Sequence, residues 1–240
     1  MRGEVRVLET LRAEVLEANL ELVRRGLVLY TFGNASGISR EDGLVVIKPS
    51  GVPYQGMTAA DMVIIDLDGR VVEGSLRASS DWPTHVALYR AFPGIGGVAH
   101  THSRHATAWA QAAREIPCLG TTHADYFRGP VPVTLPLTEA EIESDYVANT
   151  GAAIVRVLEG RDPMGCPAVL VAGHAPFCWG RSVGDAAHVA VIVEEVAALA
   201  VETLAINAGA EAIGDALRDK HYLRKHGAGA YYGQPKKIRG

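Results

Sequence analysis

The sequence predicts a three-layer α/β domain, in which a sheet of mixed strands is covered by helices on both faces. This prediction comes from short apolar runs of strand type that alternate with longer segments of helical periodicity. No repeat, low-complexity linker or change in composition divides the 240 residues. We therefore assign residues 1–240 to a single domain.

The first third of the chain is expected to begin with a helix and to continue with strands. Apolar residues from Leu8 to Leu22 share one helical stripe, and Gly26 favours the end of that helix. The pair Asp68 and Gly69 between two strand-like runs predicts a hairpin turn. The strands expected here are residues 27–39, broken by a Gly-Asn turn, residues 43–51, and the two arms of a hairpin over 62–74.

The later elements follow from capping residues and apolar runs. Ser or Asp before Pro83, then Ser103, then the capping box Thr138 to Glu141, are signals of helix starts. The helices expected here are residues 79–92, 103–113, 138 to about 158, 185 to about 208, and a charged helix that ends near 226. The strands expected here are residues 94–102, 131–136 and 167–176.

Bulk composition argues against several classes of partner. The 23 Lys and Arg residues against 27 Asp and Glu residues give a net charge of −4, which favours neither nucleic acid nor an anionic membrane. No apolar run reaches the roughly 18 residues of a membrane span, and residues 1–26 mix charged with apolar residues, so we expect a cytoplasmic protein. Cys118, Cys166 and Cys178 lack metal-type spacing and are expected to be reduced and structural.

Three histidines and one aspartate form the strongest candidate site. His100 and His102 lie two residues apart at the end of a predicted strand, so both imidazoles should project from one face. Another predicted strand also ends in a histidine, His174, and Asp81 stands at a predicted helix start. Open α/β sheets place ligands at such strand ends, and three imidazoles with one carboxylate suit a zinc-like divalent ion.

Each of these signals has an ordinary alternative. A His-x-His pair often serves packing or the surface, Asp81 alone is a typical N-cap, and His174 alone is a turn residue. His85, His105 and His123 compete for the ligand role. Because helices would carry these three away from the strand end, we expect them to support the site or to fill the core.

Three short stretches have the composition of anion-binding turns. TFGNAS, KPSG and ASSD each place small hydroxyl or amide side chains beside a glycine or at a helix start. Exposed backbone N–H groups with serine hydroxyls suit a phosphoryl group, and Lys48 adds a positive charge. Each stretch alone is an ordinary turn, but three of them before residue 82 favour a pocket for a sugar phosphate.

Six longer stretches keep the order typical of one enzyme family. They are GNASGISR, VVIKPSGVPY, SSDWPTHVALYRAFPGIGGVAHTHSRHATAWAQ, IPCLGTTHADYFRGPVPVT, GHAPFCWG and DKHYLRKHGAGAYYGQ. Together they resemble the class II aldolase family, and within it the sugar-phosphate epimerases. The resemblance runs from Gly33 to Gln234, whereas the tail PKKIRG goes beyond it and is assigned no role.

The resemblance implies a central mixed, largely antiparallel sheet between helical layers. It also implies a homotetramer with fourfold symmetry, with active sites between neighbouring subunits. The implied cofactor is Zn²⁺ or another divalent transition metal such as Mn²⁺ or Co²⁺. Its ligands by matching motifs are Asp81, His100, His102 and His174.

The resemblance further implies groups that bind a sugar phosphate and move its protons. The substrate-binding residues would be Gly33, Asn34, Lys48, Ser50, Gly51, Ser79, Ser80, Thr121 and His221. Asp125 matches one acid/base residue, and Tyr232 matches the other and would be donated by an adjacent chain. Without the resemblance, Asp125 is a loop residue and Tyr232 a packing residue.

The implied reaction inverts C4 of L-ribulose 5-phosphate and gives D-xylulose 5-phosphate. Since the carbonyl is at C2, the C4 hydrogen is not acidic, and breaking and re-forming the C3–C4 bond is the easier path. The alternative is a class II aldolase that cleaves a ketose phosphate such as L-fuculose 1-phosphate, where Glu takes the place of Asp81. A scaffold protein on this fold would lack the ligand histidines. Val147 and Asn149 stand where relatives carry acidic residues, so no helper carboxylate is expected there.

Overall fold

The computed structural model describes residues 2–233, and a seven-stranded sheet lies at its centre. Every ladder between neighbouring strands is antiparallel, in the order β4-β3-β2-β1-β5-β7-β6. Among the described residues, a parallel contact occurs only as an isolated bridge between Val133 and Leu170. The strands are β1 (Asn34–Ser39), β2 (Leu44–Ile47), β3 (Val63–Asp66), β4 (Val71–Glu73), β5 (Gly97–His100), β6 (Ala168–Leu170) and β7 (Pro176–Gly180).

Helices cover both faces of the sheet, which confirms the predicted three-layer α/β/α class. The helices are α1 (Arg2–Arg24), α2 (Trp82–Ala91), α3 (Arg104–Gln111), α4 (Thr121–Ala124), α5 (Glu139–Val157), α6 (Val183–Ile206) and α7 (Asp215–His226). One face is covered by α1, α3 and α6, and the other by α2 and α5. None of the helices in residues 2–233 combines the length and apolar character needed to cross a membrane.

Two hydrophobic cores form because successive side chains of each strand point to opposite faces. In β2, Val45 and Ile47 pack beneath α2 and α5, whereas Val46 packs beneath α1 and α6. The side chains of Val45, Val46 and Ile47 are fully buried. Complete burial of a side chain of this size contributes about 1.5–3 kcal/mol, so the two faces together anchor the sheet.

Glycine allows α6 to lie directly on β5. An added Cβ at Gly97 would stand 2.3 Å from the Cα of Val183, at the start of α6. The Gly-Gly pair before VAHTH therefore permits close contact between strand and helix. This contact fixes the start of β5, the strand that ends at the first candidate histidine, His100.

Several predicted elements are confirmed. The hairpin turns at Asp68 and Gly69 between β3 and β4, and Gly69 has a positive φ of 82°. Thr138 and Glu141 form the expected capping box of α5. The first helix, the helix after Ser79, the long apolar helix and the charged C-terminal helix are present as α1, α2, α6 and α7.

Other predictions were wrong in detail. Residues 27–33 form no strand, because Tyr30 and Gly33 adopt positive φ values of 52° and 74° before β1 begins. Residues 131–136 contribute only isolated bridges, and β7 was not predicted at all. Strand β5 ends at His100, so His102 lies just beyond it. The tail from 234 to 240, to which the sequence assigned no role, lies outside the described residues.

Candidate metal centre and substrate cavity

Three histidines converge at the end of the central strands. His100 is the last residue of β5, His102 follows in the loop before α3, and His174 lies in the turn between β6 and β7. Their ring centroids are 4.9 to 5.0 Å apart, and one nitrogen of each ring lies within 4.8 Å of the others. Since β5 pairs with β7, the turn of His174 is held against the end of β5. The structure thus places together the three histidines predicted from the sequence.

The protonation of these rings suits a metal ion. His100 Nδ1 lies 2.9 Å from the carbonyl oxygen of Pro176 and donates to it, which leaves Nε2 with a free lone pair. That Nε2 lies 3.2 Å from His102 Nε2. Burial lowers the pKa of His100 to about 3 and also lowers the pKa of His102 and of His174. Neutral imidazoles whose nitrogens converge are the donor set that a zinc-like ion requires.

The fourth predicted ligand, Asp81, lies in the same cavity. It occupies the N-cap position of α2 but makes no side-chain capping bond. Instead its Oδ2 accepts a hydrogen bond of 2.6 Å from Asn34 Nδ2, and it stands outside the cluster formed by the three histidines. Burial alone would raise the pKa of Asp81, but the nearby His100 and His85 and the Asn34 amide hold it below its usual value. An ionised carboxylate therefore faces the neutral imidazoles.

The cavity has a volume of about 340 Å³ and joins the histidines to all three small polar turns. The KPSG and ASSD turns are tied together by the backbone. Ser50 N–H donates to Arg77 O at 2.9 Å, and Ser79 N–H donates to Lys48 O at 2.9 Å. The predicted site residues that line the cavity are Gly33, Asn34, Lys48, Ser50, Gly51, Ser79, Ser80, Asp81, His100, His102 and His174.

The TFGN turn lies directly against the end of β5. An added Cβ at Gly33 would stand 2.6 Å from His100 O, and φ at this residue is +74°, so only glycine fits without displacement. Asn34 follows and pairs with His100 in the sheet. Because Asn34 Nδ2 is bonded to Asp81, Asn34 Oδ1 remains buried without a partner in the described residues. This oxygen can accept a hydrogen bond from a ligand hydroxyl.

Lys48 stabilises the KPSG turn through hydrogen bonds to backbone carbonyls. Its side chain is buried, and its ammonium donates to the carbonyl oxygens of Pro49 and Val52 at 3.1 and 2.9 Å. The ammonium also lies 4.6 Å from the ring centroid of Tyr54, whose hydroxyl donates to Gly33 O at 2.8 Å. Burial lowers the pKa of Lys48 to about 8. One lysine and one tyrosine thus link the KPSG turn to the TFGN turn.

The remaining predicted site residues lie together outside the cavity, in what we call the Asp125 cluster. Its members are Thr121, Asp125, His221 and Tyr232, with Arg224 and Lys225 beside them. His221 Nδ1 lies 3.0 Å from Asp125 Oδ1, and Arg224 donates to both carboxylate oxygens at 3.0 and 2.6 Å. Burial alone would raise the pKa of Asp125, but these partners and Lys225 hold it below its usual value. Arg224 also lies over the ring of Tyr232 at 4.9 Å from its centroid.

Thr121 begins α4, the short helix that leads to Asp125, and its carbonyl accepts from the Asp125 N–H at 2.9 Å. Tyr232 is 60% exposed. Thr121, Asp125, His221 and Tyr232 thus form one unit between α4 and the end of α7. None of them lines the histidine cavity of the same chain.

The competing histidines are placed as the sequence suggested. His85 is fully buried beneath the sheet, where its Nδ1 bonds to Ser36 Oγ at 2.7 Å. His123 is buried, and its Nε2 donates to Gly129 O at 2.8 Å. His105 pairs with Glu194 at 2.7 Å. All three stand apart from the group of His100, His102 and His174.

Four supporting residues were missed from the sequence. Arg224 and Lys225 lie three and four residues after His221, a spacing that places them on one helix face and could have been noticed. Tyr146 Oη lies 3.2 Å from His174 Nδ1, and Glu194 bonds to the start of α3. No local pattern indicates these two contacts, because each joins segments far apart in the chain.

The two positions at which the sequence predicted no helper carboxylate, Val147 and Asn149, make contacts within and between helices. Val147 O accepts a hydrogen bond of 2.7 Å from Thr84 Oγ1, which ties α5 to α2. Asn149 Nδ2 donates to Glu141 O at 2.7 Å and to Ser144 Oγ at 3.0 Å, across the break in α5 at Asp145.

Fold and cavity together define a class of α/β protein in which strand ends carry a metal-type histidine cluster beside small polar turns. The chain belongs to the Class II Aldolase and Adducin N-terminal domain family, which it matches over residues 13–201. The class predicted from the six sequence stretches is thereby confirmed.

The individual relatives are enzymes of sugar-phosphate chemistry by name. L-ribulose-5-phosphate 4-epimerase UlaF of Salmonella paratyphi A is 53% identical over 227 residues, which cover 95% of this chain and 100% of the relative. The protein of the same name from Salmonella typhi has the same identity and coverage. Among solved structures, an L-fuculose 1-phosphate aldolase superposes with a TM-score of 0.74 at 27% identity, covering 90% of this chain and 95% of that chain.

Proposed function

We propose that the chain is a metal-dependent epimerase that converts L-ribulose 5-phosphate into D-xylulose 5-phosphate. The observation that carries this proposal is the meeting of the three histidines and the three anion-binding turns in one cavity. Because the histidines and the turns line the same cavity, one sugar phosphate can contact a metal ion on the histidines and the polar groups of the turns at the same time. The 53% identity to relatives named as this epimerase supports the choice of substrate.

The ion would be held by His100, His102 and His174, with Asp81 as the fourth ligand after it turns from Asn34. Zn²⁺ fits this set best, and Mn²⁺ or Co²⁺ are accepted by the same ligand types. When bound, such an ion supplies Lewis acidity for the negative charge that develops on C2 and C3 as the C3–C4 bond breaks. Three neutral imidazoles leave most of the cation's charge available for this purpose.

The polar turns would bind the phosphate and hydroxyl groups. The hydroxyls of Ser50, Ser79 and Ser80 and the backbone of Gly51 line a space suited to a phosphoryl group. The buried Asn34 Oδ1 would accept from a substrate hydroxyl. Tethering the phosphate keeps the glycolaldehyde phosphate half in place while its carbonyl turns over.

Proton transfer is assigned to Asp125 and Tyr232. One of them removes the proton of the C4 hydroxyl as the C3–C4 bond breaks, which gives glycolaldehyde phosphate and a three-carbon enediolate. After the aldehyde has rotated, the bond re-forms on its other face, and the other group returns a proton to the C4 oxygen. The two residues would therefore serve opposite epimers. Arg224 and His221 keep the Asp125 carboxylate ionised and oriented.

A homotetramer would complete the site. Asp125 and Tyr232 share one cluster that lies outside the cavity of their own chain, so a neighbouring chain would supply both, together with Thr121 and His221. Beside the cavity, Leu29, Tyr30 and Phe32 are 67%, 89% and 52% exposed, which suits a surface covered by another copy. The three free cysteines suit the reducing cytoplasm as its location.

The test is a direct assay. Metal-replete protein is incubated with L-ribulose 5-phosphate, and D-xylulose 5-phosphate and free glycolaldehyde phosphate are both followed. The proposal expects the epimer without net release of aldehyde. The related aldolase activity, suggested by the likeness to L-fuculose 1-phosphate aldolase, would instead release an aldehyde and is disfavoured by the short Asp81.

A further inference from the structure

Helix α3 connects the two segments that carry the candidate metal ligands. It begins at Arg104, two residues after His102. At its other end, Ala110 O accepts a hydrogen bond of 2.9 Å from the N–H of Gly173, the residue before His174. A movement of α3 would therefore reach both segments.

The start of α3 is not capped by its own N-cap residue. The first turn of a helix leaves N–H groups without partners inside the helix. Ser103, which the sequence predicted as the cap, makes no side-chain bond to this turn. The predicted helix is present, but its predicted cap is not.

Glu194 of α6 supplies the missing cap from across the structure. Its two carboxylate oxygens accept from the backbone N–H of His105 at 3.0 and 3.1 Å, and Oε2 accepts from the N–H of Ala106 at 3.0 Å. Oε1 also lies 2.7 Å from His105 Nδ1. Burial alone would raise the pKa of Glu194, but the two amides lower it below its usual value. A negative charge is thus held at the positive end of the α3 dipole.

A further contact fixes the direction of α3 on α6. Trp109 Nε1 donates to the carbonyl oxygen of Ala197 at 3.1 Å. Ala197 lies three residues after Glu194, on the same side of α6. Helix α3 is therefore attached to α6 near both of its ends. Glu194 makes the attachment at the end nearer to His102.

We propose that Glu194 is a positioning residue for the metal centre, because its cap on α3 holds His102 and, through α3, the turn of His174. This inference rests on the metal centre proposed above. Glu194 touches neither ligand and acts only through the helix. Loss of the carboxylate should let the two ligand segments move apart, which weakens metal binding.

The test compares Glu194→Gln with Glu195→Gln as a matched control. Both changes remove one negative charge from α6, but Glu195 is exposed and lies outside the cap. Metal-free full-length proteins are titrated with Co²⁺, and the d–d absorption bands report affinity and ligand geometry. We expect Glu194→Gln to raise the Kd for Co²⁺ by about 10- to 100-fold and to alter the bands, as removal of supporting groups around metal ligands does. Glu195→Gln should match the wild type.

A second control separates positioning from general loss of stability. Ile65→Val makes a small cavity in the core beneath α2 and α5, far along the chain from the ligands. It should lower the melting temperature without changing the Co²⁺ bands. If Ile65→Val weakens Co²⁺ binding as much as Glu194→Gln does, the inference is wrong.

Hydrogen exchange gives a readout without metal. In the metal-free protein, Glu194→Gln should speed exchange in residues 103–107 and in 172–175. A Glu194→Gln variant with wild-type Co²⁺ affinity, bands and exchange would overturn the inference while the metal centre stands. A wild-type protein that binds no Co²⁺ would overturn both.

Discussion

At the scale of single residues, the chemistry depends on groups held in particular protonation states. Burial keeps the candidate ligand histidines neutral, so their nitrogens are free to bind a cation. Arg224 and His221 keep Asp125 as a carboxylate, the form that can remove a proton. In the proposed mechanism the cavity and the Asp125 cluster therefore have separate tasks, charge stabilisation in one and proton transfer in the other.

Two conservative substitutions test the proton-transfer roles. Asp125→Asn and Tyr232→Phe remove an acid/base group while keeping nearly the same shape. Each should lower kcat by about 10²- to 10⁴-fold, the usual contribution of a positioned acid or base. Purified variants would be compared in kcat, metal content and melting temperature.

Metal content should stay close to the wild type, since neither side chain lines the histidine cavity of its own chain. The melting temperature should fall in Asp125→Asn, because that variant weakens the ion pair with Arg224, and should stay close to the wild type in Tyr232→Phe. Wild-type turnover in both variants would remove these residues from the mechanism.

At the scale of elements, the turn before β1 shapes the cavity. Gly33→Ala places a Cβ 2.6 Å from His100 O at a positive φ, so it should destabilise the fold by about 1–3 kcal/mol and also raise KM for the sugar phosphate. Urea unfolding and steady-state kinetics would measure both effects.

Gly43→Ala is the matched control, because Gly43 has a similar φ of +66° but open space around it. It should cost only about 1 kcal/mol and leave KM unchanged. Equal kinetic effects in the two variants would mean that backbone strain, and not the contact with β5, determines KM.

Elements with local signals could be predicted from the sequence, and those set by distant contacts could not. The Asp68-Gly69 hairpin and the Thr138 capping box are encoded by neighbouring residues. Strand β7 was missed because PFCWG follows the turn of His174 too closely to look like a separate strand. The candidate metal site was predicted from the two-residue spacing of His100 and His102. The two rings still lie close together, although β5 ends at His100 and His102 is outside the strand. The Glu194 cap on α3 and the contact between Tyr146 and His174 depend on tertiary packing alone.

At the scale of the whole molecule, the separation of the two clusters predicts complementation between chains. His100→Asn disables the cavity, and Tyr232→Phe disables the Asp125 cluster. Mixed oligomers of the two inactive variants should recover up to about a quarter of wild-type activity, because some sites then combine two intact halves. The measurement is activity after the variants are dissociated together and reassembled.

Each variant reassembled alone is the control and should stay inactive. Mixed oligomers that remain as inactive as the controls would show that both clusters must come from one chain.

The fold should also be sensitive to acid. Burial lowers the pKa of His85 and of His123 to about 4, from 6.5 in the open chain. Between these pH values the unfolded chain binds more protons than the folded protein does. The free energy of unfolding is therefore highest above about pH 6.5 and decreases as the pH falls towards 4. Each histidine contributes up to about 1.4 kcal/mol per pH unit to this loss.

His123→Gln keeps a donor for Gly129 O and removes the titration. Urea unfolding from pH 7.5 to 4.5 should show a shallower loss of stability in this variant than in the wild type. An identical slope would exclude His123 as a source of the acid sensitivity.

The most direct measurement of the central claim is a crystal structure of the zinc-loaded protein with anomalous diffraction at the zinc edge. The prediction is one peak per chain, bound by His100, His102, His174 and Asp81, with Asp125 and Tyr232 of a neighbouring chain facing it. Empty histidines at saturating zinc, or a peak with no Asp125 cluster opposite, would contradict the claim.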